Sequence, residues 1–470
     1  MNSTFHGTLW QRLALAPAVV GLISTSVMFG YASSALHKPV RDSVDAGYMQ
    51  TSRVDADDSG ASDTPEPDSR IRVRAQDPLD NYRATLALLK KSYYHAPIDA
   101  RRTRTLTYEA IRGMLGSLRD QFTSFLDPDD WNQMKATTEG DFEGIGALLE
   151  QEGSQVRIVR PIETSPAEAA GIRTDDVVVS IDGVSVKGLG VNEVVHKIKG
   201  HEGTKVRLGI LRGKVPMEFT LTRALIEPPV VQHWLEDGGS KIGHIVLSEF
   251  NEKSIAQIQR AYADLTAQGM RALVFDLRYN PGGLLETAED VASLFIPKDQ
   301  DTDLKNVVVY IHEGSGKEKG DRLRTPSFGM KRMPMVVLVN GSSASASEIV
   351  AGALKDYGMA TLMGERTYGK GRVQTLYPLD DGSALRLTTA LYYPPRHYDI
   401  NFERDPDGQK IEGTGGILPD IAVKQSPRWH AEDFKDKAND LQLQAALDFL
   451  RSRLNGKTVA EAREQLRIVR

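Results

Sequence analysis

Three alternating serines open the run Ser343-Ala344-Ser345-Ala346-Ser347-Glu348, and Gly369-Lys370-Gly371 and then Gln374 follow it. The run comes after a short apolar strand, Met335 to Asn340, and leads into a helix-like segment, Ile349 to Lys355. A serine at a strand-to-helix turn is held out at the strand end, and the helix N-terminus favours negative charge developing there. Serine needs a base to become a nucleophile, and a lysine held unprotonated can be that base. Lys370 is the candidate, between two glycines where the backbone can turn sharply. A free lysine titrates near 10.4, whereas a base working near neutral pH needs about 7–8, a difference of roughly 3–4 kcal/mol. Burial supplies such a shift by disfavouring the charged form, so Lys370 is expected in an apolar pocket with no close carboxylate. Taken alone, each motif has an ordinary reading, the serines as helix caps and the lysine as a surface charge.

Other chemistries leave weaker traces. Gly364 to Lys370 matches Gly-x-x-x-x-Gly-Lys, but Gly371 follows where a phosphate-binding loop needs Ser or Thr for Mg²⁺. No Gly-x-Ser-x-Gly and no His-Glu-x-x-His occurs, and the histidines are scattered, so nothing positive supports a Ser-His-Asp triad or a zinc hydrolase. The 470 residues include no cysteine, which excludes thiol catalysis and cysteine-based zinc sites. No metal and no cofactor are expected. The net charge of -5 comes without a basic stripe, so no nucleic-acid partner is expected.

In order and spacing, the serine run, Asp356-Tyr357-Gly358, Gly364-Glu365, Gly369-Lys370-Gly371 and Gln374 resemble the carboxyl-terminal processing (tail-specific) peptidases. The resemblance implies that Ser345 is the nucleophile, that Lys370 is the general base and that Gln374 orients the lysine with an amide that adds no charge. Asp276-Leu277-Arg278-Tyr279-Asn280-Pro281-Gly282-Gly283 is similar to that family's Asp-Leu-Arg-x-Asn-Pro-Gly-Gly loop. Physically, Arg271 to Leu277 reads as a buried strand, Asn-Pro-Gly-Gly as a turn and Leu284 to Phe295 as a helix. The resemblance implies an oxyanion hole made by the N–H of Ala346 with that of Gly282 or Gly283. Each such donor is worth roughly 3–4 kcal/mol of barrier.

A second module begins near Glu139. Gly140-Asp141-Phe142-Glu143-Gly144-Ile145-Gly146-Ala147, the segment Pro161 to Ile172 and then Asp175 to Gly183 resemble a PDZ domain, and the likeness runs to about Arg223. It implies a carboxylate-binding loop at Gly144, Ile145, Gly146 and Ala147, where glycines let successive N–H groups face a terminal carboxylate. The bound peptide then adds as a strand to the sheet edge. Lys199-Gly200 stands where the family often has Arg-Gly, so any switch that uses that arginine is in question.

These motifs require an α/β multidomain chain. By resemblance it has a crotonase/ClpP-like α/β protease core with an inserted PDZ domain, β-rich with two helices, and helical N- and C-terminal segments. The expected divisions are 1–35 signal peptide or membrane anchor, 36–76 disordered acidic linker and 77–138 N-terminal helical region. Then come 139–224 PDZ domain, 225–430 protease core and 431–470 C-terminal helical region. Leu13 to Tyr31 is apolar and follows Arg12, Ser33-Ser34-Ala35 allows cleavage after Ala35, and Leu36 to Gln76 is rich in Asp, Ser and Pro. A periplasmic location follows, by secretion or by anchoring to the inner membrane, with no other membrane contact. Leu79, Tyr82, Leu86 and Leu89 fit one helix face, expected to pack on the core, and dimerisation through the helical ends stays open. Lys317 to Arg324 reads as an exposed hairpin tip, and Asp440 to Leu450 as a helix that packs on the core or docks a partner.

The expected activity is that of a serine endopeptidase, processing or degrading periplasmic proteins with free C-termini. A PDZ scaffold with an inactive core is the alternative, against which intact Ser345, Lys370 and Gln374 argue. Activation by an adaptor stays open.

Overall fold

The computed structural model describes residues 78–468 apart from 96, 237–238, 298–302, 315, 323–329, 406–408, 428 and 430–436. The apolar segment Leu13 to Tyr31 and the acidic linker therefore lie outside the described residues. Among the described residues, no helix is long and apolar enough to cross a membrane. The chain divides into two units, with the boundary between Phe125 and Leu126.

In the smaller unit, α1 (Pro78–Ser92) and α2 (Ala100–Gly116) are helices. Asp99 caps α2 by accepting from the N–H of Arg102 at 2.8 Å. Tyr108 and Arg112 of α2 pack on the ring of Phe125. No residue of α1 is fully buried: Leu79 and Tyr82 are exposed, and Leu86 and Leu89 are half-buried. A short strand β1 (Ser124–Leu126) spans the division.

The larger unit starts with α3 (Pro128–Glu139), capped by Asp127 and ended by Gly140 in the left-handed region at φ 79°. A β-rich module is then threaded in. The strands β2 (Phe142–Gly144) and β9 (Ala224–Ile226) run antiparallel as its entry and exit. Between them lie β3 (Ala147–Glu152), β4 (Gln155–Pro161), α4 (Pro166–Ala169), β5 (Val177–Ile181), β6 (Val184–Ser185), α5 (Val191–Ile198), β7 (Lys205–Arg212) and β8 (Val215–Thr222). The sheet order is β3-β4-β5-β7-β8, with β6 on β5. Alternate residues such as Val206, Leu208 and Ile210 of β7 point into one core with Ile158, Val194 and Ile198.

The catalytic candidates sit on a second sheet. It contains β10 (Val231–Leu235), β11 (Ile242–Leu247), β12 (Ala272–Asp276), β15 (Met335–Val339), β16 (Thr361–Gly364) and β19 (Ile421–Ala422), in that order. The strand β10 is antiparallel to β11, and every other pair is parallel. Four strands, β11, β12, β15 and β16, are buried along their whole length, which explains their unbroken apolar runs. Ile245, Leu273, Phe275, Val337 and Val339 face α6 (Ser254–Ala267), α7 (Leu285–Phe295) and α8 (Ala346–Asp356). Ile242, Val274, Val336, Leu338 and Met363 face α9 (Leu441–Leu454) and α10 (Val459–Ile468). Each fully buried aliphatic side chain here contributes roughly 1.5–3 kcal/mol. The C-terminal helix that could have docked a partner thus closes the open face of the sheet, with Leu443, Ala446, Phe449 and Leu450 buried.

A third sheet pairs β13 (Val307–Glu313) with β14 (Glu318–Arg322) and with β18 (Ala384–Tyr393), and β18 with β17 (Arg372–Pro378). Asp381-Gly382 turns β17 into β18, with Gly382 at φ 85°. The charged run read as a hairpin tip instead forms β14 itself, because its backbone pairs with β13.

Candidate active site

Ser345 stands between β15 and α8 with φ 55° and ψ -115°, a conformation that a residue with a side chain adopts only under constraint. The constraints are visible. Its N–H donates to Glu348 Oε2 at 2.9 Å, and its carbonyl accepts from the buried hydroxyl of Tyr392 at 2.9 Å. The flanking serines have other work. Ser343 Oγ donates to the carbonyl of Leu277 at 2.8 Å and Ser347 Oγ to that of Asn280 at 2.9 Å, and both residues are buried. Ser345 is the half-exposed member of the run.

Lys370 lies in the loop from β16 to β17 and is half-buried. Its N–H donates to Glu348 Oε2 at 2.9 Å, the same oxygen that holds Ser345. Glu348 Oε1 accepts from the N–H of Gly369 at 2.7 Å and from Thr367 Oγ1 at 2.6 Å. One fully buried carboxylate therefore ties the serine turn to the lysine loop. Burial pushes the Glu348 carboxyl above its ordinary range, against the pull of these donors. The carboxylate bonds the backbone of Lys370, not its amine. Gly369 has φ 92°, and a Cβ on it would meet the N of Gly416 at 2.9 Å, so the sharp turn and the tight packing both need glycine. The strand β16 leads through this loop into another strand and not into a helix, so the phosphate-loop reading loses its anion site.

Gln374 is half-buried on β17, next to a register shift between Val373 and Gln374. Its Nε2 donates to the carbonyl of Arg372 at 3.2 Å.

The loop after β12 presses against the serine turn. A Cβ on Gly282 would meet the Cβ of Ser345 at 2.7 Å and the N of Ala346 at 2.9 Å. The N–H of Gly282, one of the expected oxyanion donors, already donates to Asn280 Oδ1 at 2.9 Å. Lacking a side chain, Gly282 lets the loop approach the serine turn, with its N–H engaged by Asn280. Among the described residues, nothing accepts from the N–H of Gly283 or of Ala346. Asn280 ties the loop down through Nδ2 to the carbonyl of Leu247 at 2.8 Å. A network on the far side of the sheet fixes the start of the loop. Arg278 bonds Asp276 and Asp440 at 2.7 and 2.8 Å, with Trp429 stacked over its guanidinium at 4.6 Å. Burial alone would raise the Asp276 carboxyl, but Arg278 and His244 hold it down to about 2.

Gly144, Ile145, Gly146 and Ala147 line a groove of about 120 Å³ with Val195 and Ile198 of α5. A Cβ on Gly146, at φ 73°, would meet Ser165 Cβ at 2.3 Å.

Sequence reasoning missed Glu348 as an organiser, although Ser345-x-x-Glu348 has the spacing of a capping box. Tyr392 left no local signal, since its partner Ser345 lies 47 positions away.

Residues 241–423 match the model of Peptidase family S41, and residues 157–212 that of the PDZ domain. A carboxyl-terminal-processing protease of Synechocystis sp. is 38% identical over 369 residues, covering 77% of this chain and 80% of the relative. That of Picosynechococcus sp. is 36% identical over 368 residues, covering 77% and 83%. Among solved structures, a photosystem II D1 C-terminal processing protease is 31% identical with a TM-score of 0.39, covering 73% of this chain and 86% of its own.

Proposed function

The chain belongs to peptidase family S41, among the carboxyl-terminal-processing proteases, and we propose that it cleaves peptide bonds with a Ser345/Lys370 dyad on proteins presented by their C-terminal tails. The observation that carries this reading is the shared Glu348 oxygen, 2.9 Å from the N–H of Ser345 and 2.9 Å from that of Lys370. A nucleophile and a base from separate loops need such an anchor, because small errors in their spacing cost large factors in rate.

In the proposed reaction, neutral Lys370 Nζ takes the proton of Ser345 Oγ as the oxygen bonds to the scissile carbonyl carbon. The carbonyl oxygen becomes an oxyanion and accepts from the N–H groups of Ala346 and Gly283, at the N-terminus of α8. The C–N bond breaks as Lys370 returns the proton to the leaving amine. Water, activated by the same lysine, then hydrolyses the ester on Ser345. Gln374, whose Nε2 is engaged with Arg372, has its Oε1 to accept from the amine and orient it.

The PDZ groove at Gly144 to Ala147 takes the free carboxyl end of the substrate, which extends as an added strand. The apolar segment Leu13 to Tyr31 directs the chain to the periplasm, either as a cleaved signal or as an inner-membrane anchor. Self-association through α1 would cover its exposed apolar side chains, and an adaptor bound there could control activity.

A serine-reactive fluorophosphonate, followed by peptide mapping, tests the dyad. The expected adduct is on Ser345, and it should be lost in Lys370→Ala. An adduct on another residue, or none on Ser345 in a preparation that digests casein, would overturn the assignment.

A further inference from the structure

The groove beside Gly144 to Ala147 contains charged groups that the cleavage chemistry does not use. Its walls are apolar, formed by Ile145, Leu149, Ile162, Val195 and Ile198. Lys199 of the PDZ module and Glu249 of the catalytic core also line it. Glu249 is only 9% exposed, and among the described residues nothing hydrogen-bonds or pairs with its carboxyl. The obvious local partners are engaged. Lys253 pairs with Glu227 at 3.2 Å and Asp141 at 3.5 Å, and Ser254 Oγ donates to the backbone carbonyl of Glu249 at 3.0 Å. Asn251 Oδ1 accepts from the N–H of Lys253 at 3.0 Å. Lys199 lies over the ring of Phe142 at 5.3 Å.

A buried carboxyl without a partner is unfavourable, and in a native structure it calls for an explanation. Burial pushes the Glu249 carboxyl up to about 8 and lowers the Lys199 ammonium, so both charges are disfavoured in the empty groove. A ligand that brings a cation removes the penalty on Glu249. The apolar walls ask the same ligand for an aliphatic stem, and lysine and arginine combine the two.

We propose that Glu249 makes this groove select peptide tails with lysine or arginine as the C-terminal residue. The stem lies on the apolar wall and the charged end pairs with the Glu249 carboxylate, while the terminal carboxylate meets the glycine loop. The inference rests on the reading of the groove as the tail-binding site and names the substrate class for it.

Fluorescence anisotropy on the full chain carrying Ser345→Ala, which leaves the peptides uncut, provides the test. Labelled peptides identical but for a final lysine or norleucine compare a charged stem with a neutral one, each as free acid and as amide. The lysine acid should bind about 10-fold more tightly or better than the norleucine acid, the range of a buried charge pair. Glu249→Gln should bring that ratio to about one, and Glu249→Asp should keep part of it. Equal binding of the two acids, or a ratio that survives Glu249→Gln, would overturn the selectivity while the tail-binding reading stands. Equal binding of acid and amide, or no binding of any peptide, would remove the tail-binding reading and the selectivity with it.

Discussion

At the scale of residues, Glu348 joins what the chain keeps apart. Its Oε2 accepts from the backbone N–H groups of Ser345 and Lys370, and its Oε1 from the N–H of Gly369 and the hydroxyl of Thr367. An amide has one acceptor oxygen, so Glu348→Gln keeps at most one of these two pairs of bonds and turns an NH₂ against the donors of the other. Bonds to a charged acceptor are worth about 1.5–3 kcal/mol each. Glu348→Gln should lower kcat roughly 10–100-fold and change KM little. Steady-state kinetics check this, and a wild-type kcat would remove Glu348 as the anchor. The serine run and the glycine-flanked lysine were legible as chemistry because their spacing is local. The reach of Glu348 to the second loop was not, because a capping-box spacing describes only its own turn. The same holds for the two oxyanion glycines. Gly282 and Gly283 read alike in sequence, and only the Asn280 side chain, bonded to the first, separates them.

Among the elements, the turn after β12 has the least room. A Cβ at Gly283, with φ 143°, would come 1.9 Å from the carbonyl oxygen of Phe250, which accepts from the N–H of Leu284 at 2.8 Å. Gly283→Ala must therefore push the loop away from the segment after β11 and shift the N–H proposed to hold the oxyanion. Its expected effect is a loss of kcat of about 10²–10³-fold, the value of one donor, in a protein whose far-ultraviolet circular dichroism is unchanged. Full activity would show that Gly283 does not donate. The core strands and helices that carry this turn were readable in advance. Arg271 to Leu277 and Leu284 to Phe295 hold the strand and helix their patterns predict, because a buried parallel strand is a short apolar run and α7 has an apolar face toward the core. Lys317 to Arg324 misled because charge is a poor guide to backbone pairing, and the partner strand Val307–Glu313 is what makes part of it a strand.

For the whole molecule, the C-terminal helices and the catalytic sheet are joined by buried charge. Arg278 bonds Asp276 beside the oxyanion loop and Asp440 at the start of α9. Removing one partner of such a pair costs about 3–5 kcal/mol, less where a second carboxylate remains. Asp440→Asn should therefore lower stability by ~3 kcal/mol in denaturant titration. The stability of the network also depends on pH through Asp276. Its pKa is held down to about 2, below the ordinary value, so its contribution is present above about pH 4 and is lost as pH falls toward 2. His244, buried against Glu236 and Asp276, has a raised pKa, so its contribution is present in mild acid and is lost as pH rises through that value. The apolar runs of β11, β12 and β15 made two covered faces legible, but not that α9 covers one of them, since that contact joins residues more than a hundred positions apart.

The rate of cleavage of a tailed, unstructured protein by the full chain, beside Ser345→Ala and Lys370→Ala, tests the dyad most directly. The wild type should cut, and each substitution should lower the rate by roughly 10³–10⁶-fold while the protein stays folded. Turnover at the wild-type rate in either variant would contradict the dyad and leave the serine turn and its lysine loop as scaffold.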